Sequence, residues 1–105
     1  MNLYSLPPIS GKEVETELFS SPNVRIVRIV SRGQASPEGF YYDQDETEWV
    51  CVLQGEGVVS FPDGREVSLR AGDTLKLPAH EKHRVKSTSE EPPCVWLCVY
   101  IENKE

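Results

Sequence analysis

The stretch from Glu48 to Val85 consists of short β-type runs separated by turn residues, and it constrains the fold more than any other part of the chain. Its first run, EWVCVLQ at 48–54, is rich in β-branched and aromatic residues and is too short for a convincing helix. Gly55 ends this run, and Pro62-Asp63-Gly64 has the composition of a hairpin turn. The pattern predicts an antiparallel meander of short strands, typical of a sandwich or barrel.

Further strands are predicted along the chain. VRIVRIV at 24–30 and CVWLCVYI at 94–101 are dense in β-branched and apolar residues. Residues 12–19 are predicted as a short strand, with a single helical turn as the alternative, and Phe40-Tyr41-Tyr42 is predicted to begin an aromatic strand. Shorter strands are predicted at 58–61, 65–70, 74–77 and 84–87.

The second half of this stretch contains a glycine, a proline and a histidine at a characteristic spacing. Gly72 is followed after five residues by Pro78, and His83 comes five positions later. In this spacing the chain resembles the cupin superfamily, whose second motif has a glycine at the position of His80 here. Glu48 and Gly55, with six residues between them, match the end of the first cupin motif in spacing.

The resemblance implies an all-β fold, the cupin-type double-stranded β-helix or jelly-roll barrel built from antiparallel strands. We expect a single cupin domain over residues 1–105, with an N-terminal arm at 1–12 and the cupin core at 37–101.

In cupins a divalent metal is held by three histidines and one glutamate, so the resemblance implies that iron, manganese, nickel or zinc could bind here. Glu48 and His83 match two of those ligand positions. The His-x-His pair of the first motif is missing, and its positions fall on Tyr42 and Gln44 or, with a spacing one residue longer, on Tyr41 and Asp43. The metal motif is therefore incomplete, with Asp43 as a reasonable oxygen ligand.

The candidate site follows from these positions. His83 and Glu48 are predicted to hold the metal or to act as acid and base, and Tyr42 is predicted to orient the substrate. The predicted ligand-binding residues are Arg28, Tyr42, Gln44 and His80. Arg28 and Arg25 have opposite parity in one strand, so Arg28 either points into the barrel or lies near a rim.

Several functions are compatible with this site, since the cupin fold hosts many activities. The leading hypothesis is a small-molecule-binding cupin, with a metal-dependent isomerase or epimerase of a sugar or sugar phosphate, similar to mannose-6-phosphate isomerase, as its enzymatic form. A non-catalytic ligand-binding or sensing module is the alternative, and a metal-dependent dioxygenase is a third.

The composition of the chain limits the kinds of molecule that we expect it to bind. A formal net charge of −6 argues against nucleic acid or an anionic membrane. The absence of a long apolar run favours a cytoplasmic protein. Cys94 and Cys98 lie about 13 Å apart on one strand at about 3.3 Å per residue, too far for a disulfide, and with Cys51 they are interpreted as core residues. The run at 94–101 is apolar on both faces, which together with the arm favours a homodimer and leaves open which face is covered.

Overall fold

The computed structural model describes residues 1–102, and within them the chain forms eight β-strands and no helix. The strands are β1 (Val14–Ser20), β2 (Val24–Ser31), β3 (Glu46–Gln54), β4 (Glu56–Ser60), β5 (Glu66–Arg70), β6 (Thr74–Leu77), β7 (Arg84–Thr88) and β8 (Cys94–Glu102). The all-β jelly-roll prediction is confirmed, and the uncertain segment at 12–19 is a strand. None of the described residues forms a helix that could cross a membrane.

The strands form two antiparallel sheets. One has five strands in the order β1-β2-β8-β3-β6, and the other has three in the order β5-β4-β7. Strands distant in sequence are neighbours in both sheets: β8 lies between β2 and β3 in the larger sheet, and β7 pairs with β4 in the smaller. The core joins the sheets: Val52 and Trp96 of the larger sheet belong to one buried cluster with Val59 and Leu69 of the smaller.

The register of the larger sheet decides which side chains face the core. Ile29 of β2 pairs with Trp96 of β8, and Trp96 pairs with Val52 of β3. Because directly paired residues share a face, this row lies on the inner side. The adjacent positions of β8, including Val99, therefore lie on the outer side.

The N-terminal arm covers one end of the outer face of this sheet. Arg28 is 3% exposed, and its Nη1 donates to the carbonyl oxygens of Leu3 and Ser5 at 3.3 and 2.9 Å. The Tyr4 hydroxyl donates to the carbonyl of Leu53 at 3.4 Å. The alternative in which Arg28 points into the barrel is therefore wrong. Arg28 pairs with Leu97, which places its side chain on the outer face of the sheet. There its guanidinium donates to backbone carbonyls of the arm.

The predicted aromatic strand at 40–42 is wrong. Only Tyr42 forms a β-bridge there, in which its amide donates to the His83 carbonyl at 2.7 Å and its carbonyl accepts from the His83 amide at 3.2 Å. Residues 37–39 carry proline and glycine before it, and Asp43 and Asp45 follow it. These residues disfavour a longer ladder, so the strand pairing at 40–42 is limited to one bridge.

Candidate functional site

A cavity of about 90 Å³ lies between the two sheets. Apolar side chains from both sheets form its walls, among them Ile29, Val59 and Leu77. Its other lining residues are polar or aromatic: Glu13, Glu15, Tyr42, Gln44, Glu48, His83, Trp96, Cys98 and Tyr100. A volume of this size has room for several waters or a small organic molecule.

Glu48 reaches the cavity because of its position in a cross-strand row. It pairs with Tyr100 on one side and Leu77 on the other, so it shares their inner face and is only 7% exposed. Burial raises the pKa of Glu48, while the nearby His83 and hydrogen bonds with the side chains of Cys98, Gln44 and Tyr100 act in the opposite direction. Glu48 is thus a carboxyl group with an elevated pKa and a fixed orientation.

His83 faces Glu48 across the cavity and is 6% exposed. Its Nδ1 lies 2.8 Å from the carbonyl oxygen of Glu81. A carbonyl can only accept, so Nδ1 carries the proton and Nε2 is directed toward Glu48. Nε2 lies 3.7 Å from Oε1 of Glu48, which is longer than a hydrogen bond. No hydrogen bond joins the two atoms, so a third group that lies beside them in the cavity can exchange protons with both side chains.

Tyr42 and Gln44 line the cavity beside this pair. The Tyr42 ring stacks on the His83 imidazole with centroids 5.4 Å apart and an angle of 27° between the planes. Burial, followed by the charges of Glu13 and Glu15, raises the pKa of Tyr42, so its hydroxyl stays protonated. The structure thus brings together Tyr42, Gln44, Glu48 and His83 of the predicted site.

His80 and Asp43 lie outside the cavity lining. Nδ1 of His80 is 2.7 Å from Oδ1 of Asp43, and Nε2 is 3.3 Å from Oδ1 of Asp45. The His80 amide donates to the carbonyl of Gln44 at 2.7 Å. Its φ of 65° is the left-handed conformation that a glycine adopts readily, in keeping with the glycine of the cupin motif at this position. We therefore assign His80 and Asp43 to fastening the loop that carries Gln44.

Sequence reasoning missed two groups that contact Glu48. Cys98 is a core residue, as the sequence predicts, and it also lines the cavity and hydrogen-bonds with the Glu48 carboxylate. Burial raises the pKa of Cys98 well above its usual value, so it remains a thiol and a donor. Tyr100 is a second such donor, and burial likewise raises its pKa. The only sequence signal for their position is that Cys98 and Tyr100 lie on the same face of β8 as Trp96. Which face that is becomes known only from the pairing of β8 with its neighbours.

The cavity is a poor match for the metal that the resemblance implied. Glu48 and His83 are the only side chains from the predicted ligand set that face each other inside it, because Asp43 is held by His80. Across residues 1–102 no group of three or more His, Cys, Asp or Glu side chains is arranged to hold an ion. Three protein ligands are usual for a catalytic zinc, so this donor set does not fit the site of a complete cupin motif.

Metal content is therefore expected to be low. We expect dialysed protein to contain far less than one equivalent of iron, manganese, nickel or zinc, because two ligands bind an ion weakly. Elemental analysis of the wild type beside Glu48→Ala and His83→Ala measures this. A near-stoichiometric ion that both substitutions remove would contradict the expectation.

Comparisons with known proteins place this geometry in a family. A family model described as "Cupin domain" matches residues 27–100. A crystal structure from Ralstonia eutropha JMP134, described as a candidate mannose-6-phosphate isomerase, shares 37% identity, with 98% of this chain and 97% of that one covered and a TM-score of 0.92.

Two more distant structures agree in fold. A cupin superfamily protein from Desulfitobacterium hafniense DCB-2 is 20% identical over 96% of this chain and 87% of its own, with a TM-score of 0.81. An RmlC-like cupin from Desulfovibrio desulfuricans is 21% identical over 97% of this chain and 93% of its own, with a TM-score of 0.74. The match over residues 27–100 is the larger part of the chain, and the protein belongs to the cupin family.

Proposed function

We propose that this cupin binds a small carbonyl compound in its cavity and that Glu48 and His83 move a proton on it, the chemistry of an isomerase. The observation that carries the proposal is the pair itself. Two titratable side chains, each more than nine-tenths buried, face each other at 3.7 Å in a cavity with room for a ligand. Paired acid and base groups of this kind support proton transfer at carbon.

The reaction would use the two side chains in turn. With the pair ionised, the Glu48 carboxylate removes the proton from a hydroxyl-bearing carbon next to the substrate carbonyl, and His83 Nε2 gives a proton to the carbonyl oxygen. An enediol results. Glu48 then returns its proton to the former carbonyl carbon, and His83 takes the hydroxyl proton of the neighbouring carbon, which moves the carbonyl by one position. Both groups end in their starting state.

The surroundings of Glu48 suit a general base. Burial raises its pKa, which makes the carboxylate more basic toward a weakly acidic C–H group. Cys98 and Tyr100 fix its orientation through hydrogen bonds. The backbone carbonyl of Glu81 fixes the His83 ring through Nδ1, so Nε2 is the nitrogen presented to the substrate.

The size and charge of the cavity favour a small substrate without a phosphate. The Ralstonia neighbour supports an isomerase, but a bound phosphate needs cationic side chains, and the described lining residues include neither lysine nor arginine. The volume of about 90 Å³ is also well below the 300 Å³ or more of typical sites for larger ligands. We therefore propose a compound of about three to four carbons as the reacting unit.

Deuterium incorporation tests the proposal even while the product is unidentified. Hydroxyacetone is incubated with the protein in deuterium oxide, and the C–H signals beside its carbonyl are followed by proton NMR. The expected result is exchange above the buffer rate that depends on both Glu48 and His83. Exchange at the buffer rate for hydroxyacetone, dihydroxyacetone and aminoacetone would overturn the proposed proton transfer.

A non-catalytic binding module is the second candidate, and the incomplete metal motif favours it. This candidate predicts saturable ligand binding in the cavity without isotope exchange. The dioxygenase considered from the sequence would need a metal held by more donors than Glu48 and His83 supply, so we do not propose it.

We also propose that the protein is a homodimer that uses the uncovered part of the larger sheet. A cross-strand row joins Ile26 to Val99, and Val99 to Trp49, on the outer face. Trp49 is 38% exposed and Ile101, nearby on β8, is 41% exposed. The arm covers the other end of this face, so the apolar surface at Trp49 is available to a second copy.

Trp49→Glu is expected to convert the dimer to a monomer, because it replaces the large exposed apolar side chain at one end of this row with a charge. Size-exclusion chromatography with light scattering measures the mass. Val58→Glu is the matched control, since Val58 is a half-buried strand residue of the other sheet. A wild-type monomer at every tested concentration, or an unchanged dimer in Trp49→Glu, would contradict this interface.

A further inference from the structure

The charges around the cavity are unbalanced. Glu13, Glu15 and Glu48 line it, and His83 is its only basic lining residue among residues 1–102. Arg25 lies close by, with its guanidinium 4.4 Å from the centre of the Tyr100 ring, but it also pairs with Glu46 at 3.0 Å. That pairing offsets its charge, so the cavity has an excess of negative charge.

Glu13 and Glu15 lie on and just before the edge strand β1, at the open side of the cavity, and both are exposed. Glu13 accepts a hydrogen bond from the Ser31 hydroxyl through Oε2. Ser31 Oγ in turn accepts from Trp96 Nε1 at 3.2 Å. These hydrogen bonds anchor one oxygen of Glu13 and leave the other able to contact a ligand.

Aromatic rings complete the wall, independently of the carboxylates. Tyr42, Trp96 and Tyr100 all line the cavity. The faces of such rings attract cations, and the Tyr100 ring already carries the Arg25 guanidinium. Rings and carboxylates together form the kind of surface that binds an organic ammonium group.

Nε2 of His83 is a polar atom of the cavity wall that can contact a ligand. His83 Nε2 points into the cavity, and the nearest Glu48 oxygen lies beyond hydrogen-bond distance at 3.7 Å. In the ionised pair that the proposed function uses, a ligand carbonyl oxygen beside these groups would accept a hydrogen bond from Nε2, while a substituent toward the mouth would approach Glu13 and Glu15. The site therefore calls for a carbonyl at one end and a positive charge at the other.

We propose that the cavity selects small amino carbonyl compounds that also carry the neighbouring hydroxyl group, with the carbonyl beside Glu48 and His83 and the ammonium group at Glu13, Glu15 and the aromatic wall. The inference rests on the proposed function for the position of the carbonyl, and adds the charge of the substrate. The electrostatic effect of the two glutamates on this space is seen at Tyr42, whose pKa is raised by burial and then by their charges. An anionic substituent would meet the same carboxylates and be repelled.

Three ketones of similar size test the selection: aminoacetone, which is cationic, hydroxyacetone, which is neutral, and pyruvate, which is anionic. Binding to the intact chain is followed through the indole N–H signal of Trp96, with that of Trp49 on the outer face as an internal reference. We expect aminoacetone to bind at least about tenfold more tightly than hydroxyacetone, and pyruvate to bind more weakly than either.

The double variant Glu13→Gln/Glu15→Gln is expected to reduce the ratio of the two dissociation constants toward one. Glu17→Gln is the matched control, because Glu17 lies on the same strand but does not line the cavity, and it should keep the preference. Pyruvate binding as tightly as aminoacetone, or an unchanged ratio in the double variant, would overturn the inference.

The isotope-exchange experiment separates this inference from the proposed function. Selective aminoacetone binding without deuterium exchange would support the charge selection and overturn proton transfer. Exchange with hydroxyacetone but no preference for aminoacetone would overturn the charge selection alone. If none of the three ketones shifts the Trp96 signal, both are overturned.

Discussion

Glu48→Gln is expected to lower the rate of isotope exchange by about 10²- to 10⁴-fold and to leave the protein at least as stable as the wild type near neutral pH. The glutamine keeps the shape of the side chain but cannot accept the substrate proton. It also removes a carboxylate whose burial is unfavourable, and we expect a gain in the free energy of unfolding of about 1 kcal/mol.

The pH dependence of that gain has a definite sign. Burial raises the pKa of Glu48 above its value of 4.5 in the unfolded chain, so the folded protein binds this proton more tightly. The stabilisation from the proton is complete below the unfolded pKa and is lost as pH rises through the folded pKa. The advantage of Glu48→Gln over the wild type should therefore be small near pH 4 and larger near pH 8.

Urea unfolding at about pH 4 and about pH 8 measures this difference. A variant that is clearly less stable than the wild type near pH 8 would mean that Glu48 stabilises the fold as a charged partner of His83. His83→Asn is the companion variant, because asparagine can keep the hydrogen bond to the Glu81 carbonyl while removing Nε2.

Gly55→Ala is expected to lower the free energy of unfolding by about 3–5 kcal/mol, although it adds only one methyl group. Gly55 has a φ of 79°, and an added Cβ would lie 2.7 Å from the Pro93 carbonyl oxygen and 3.0 Å from Cα of Cys94. Backbone atoms at these distances cannot move aside cheaply. The turn between β3 and β4 would have to open, and the start of β8 would shift with it.

Gly64→Ala is the control for the conformational part of that cost. Gly64 has a φ of 92°, but an added Cβ would have nothing within 4 Å. Its substitution should therefore cost only about 1–2 kcal/mol from backbone strain. Chemical denaturation of both variants gives the comparison. Equal losses would show that the contacts with Pro93 and Cys94 are unimportant.

The sequence predicted the fold well because its signals are local. The β4–β5 hairpin follows from Pro62-Asp63-Gly64, and β3 from a dense run of β-formers that ends at Gly55. Aromatic residues at 40–42 misled the prediction because their neighbours limit pairing to one bridge. A strand depends on a partner as well as on its own composition.

The site was only partly predictable, because it depends on register between distant segments. The inward direction of Glu48 was implied by the ligand position that the cupin spacing gives it. The directions of the Arg28 and Cys98 side chains depend on how β2 and β8 pair. The sequence of β8 is apolar on both faces, so it does not reveal which face is turned inward. The hydrogen bond between His80 and Asp43 joins loops 37 residues apart, and no local pattern indicates it.

The most direct test of the account measures isotope exchange by Glu48→Gln, His83→Asn and the double variant. If the two side chains act on one substrate as a pair, either single substitution should abolish most of the catalysed exchange, and the double variant should be little worse than the poorer single. If the two losses simply multiply, or if either single variant exchanges at the wild-type rate, Glu48 and His83 do not work together and the central claim is wrong.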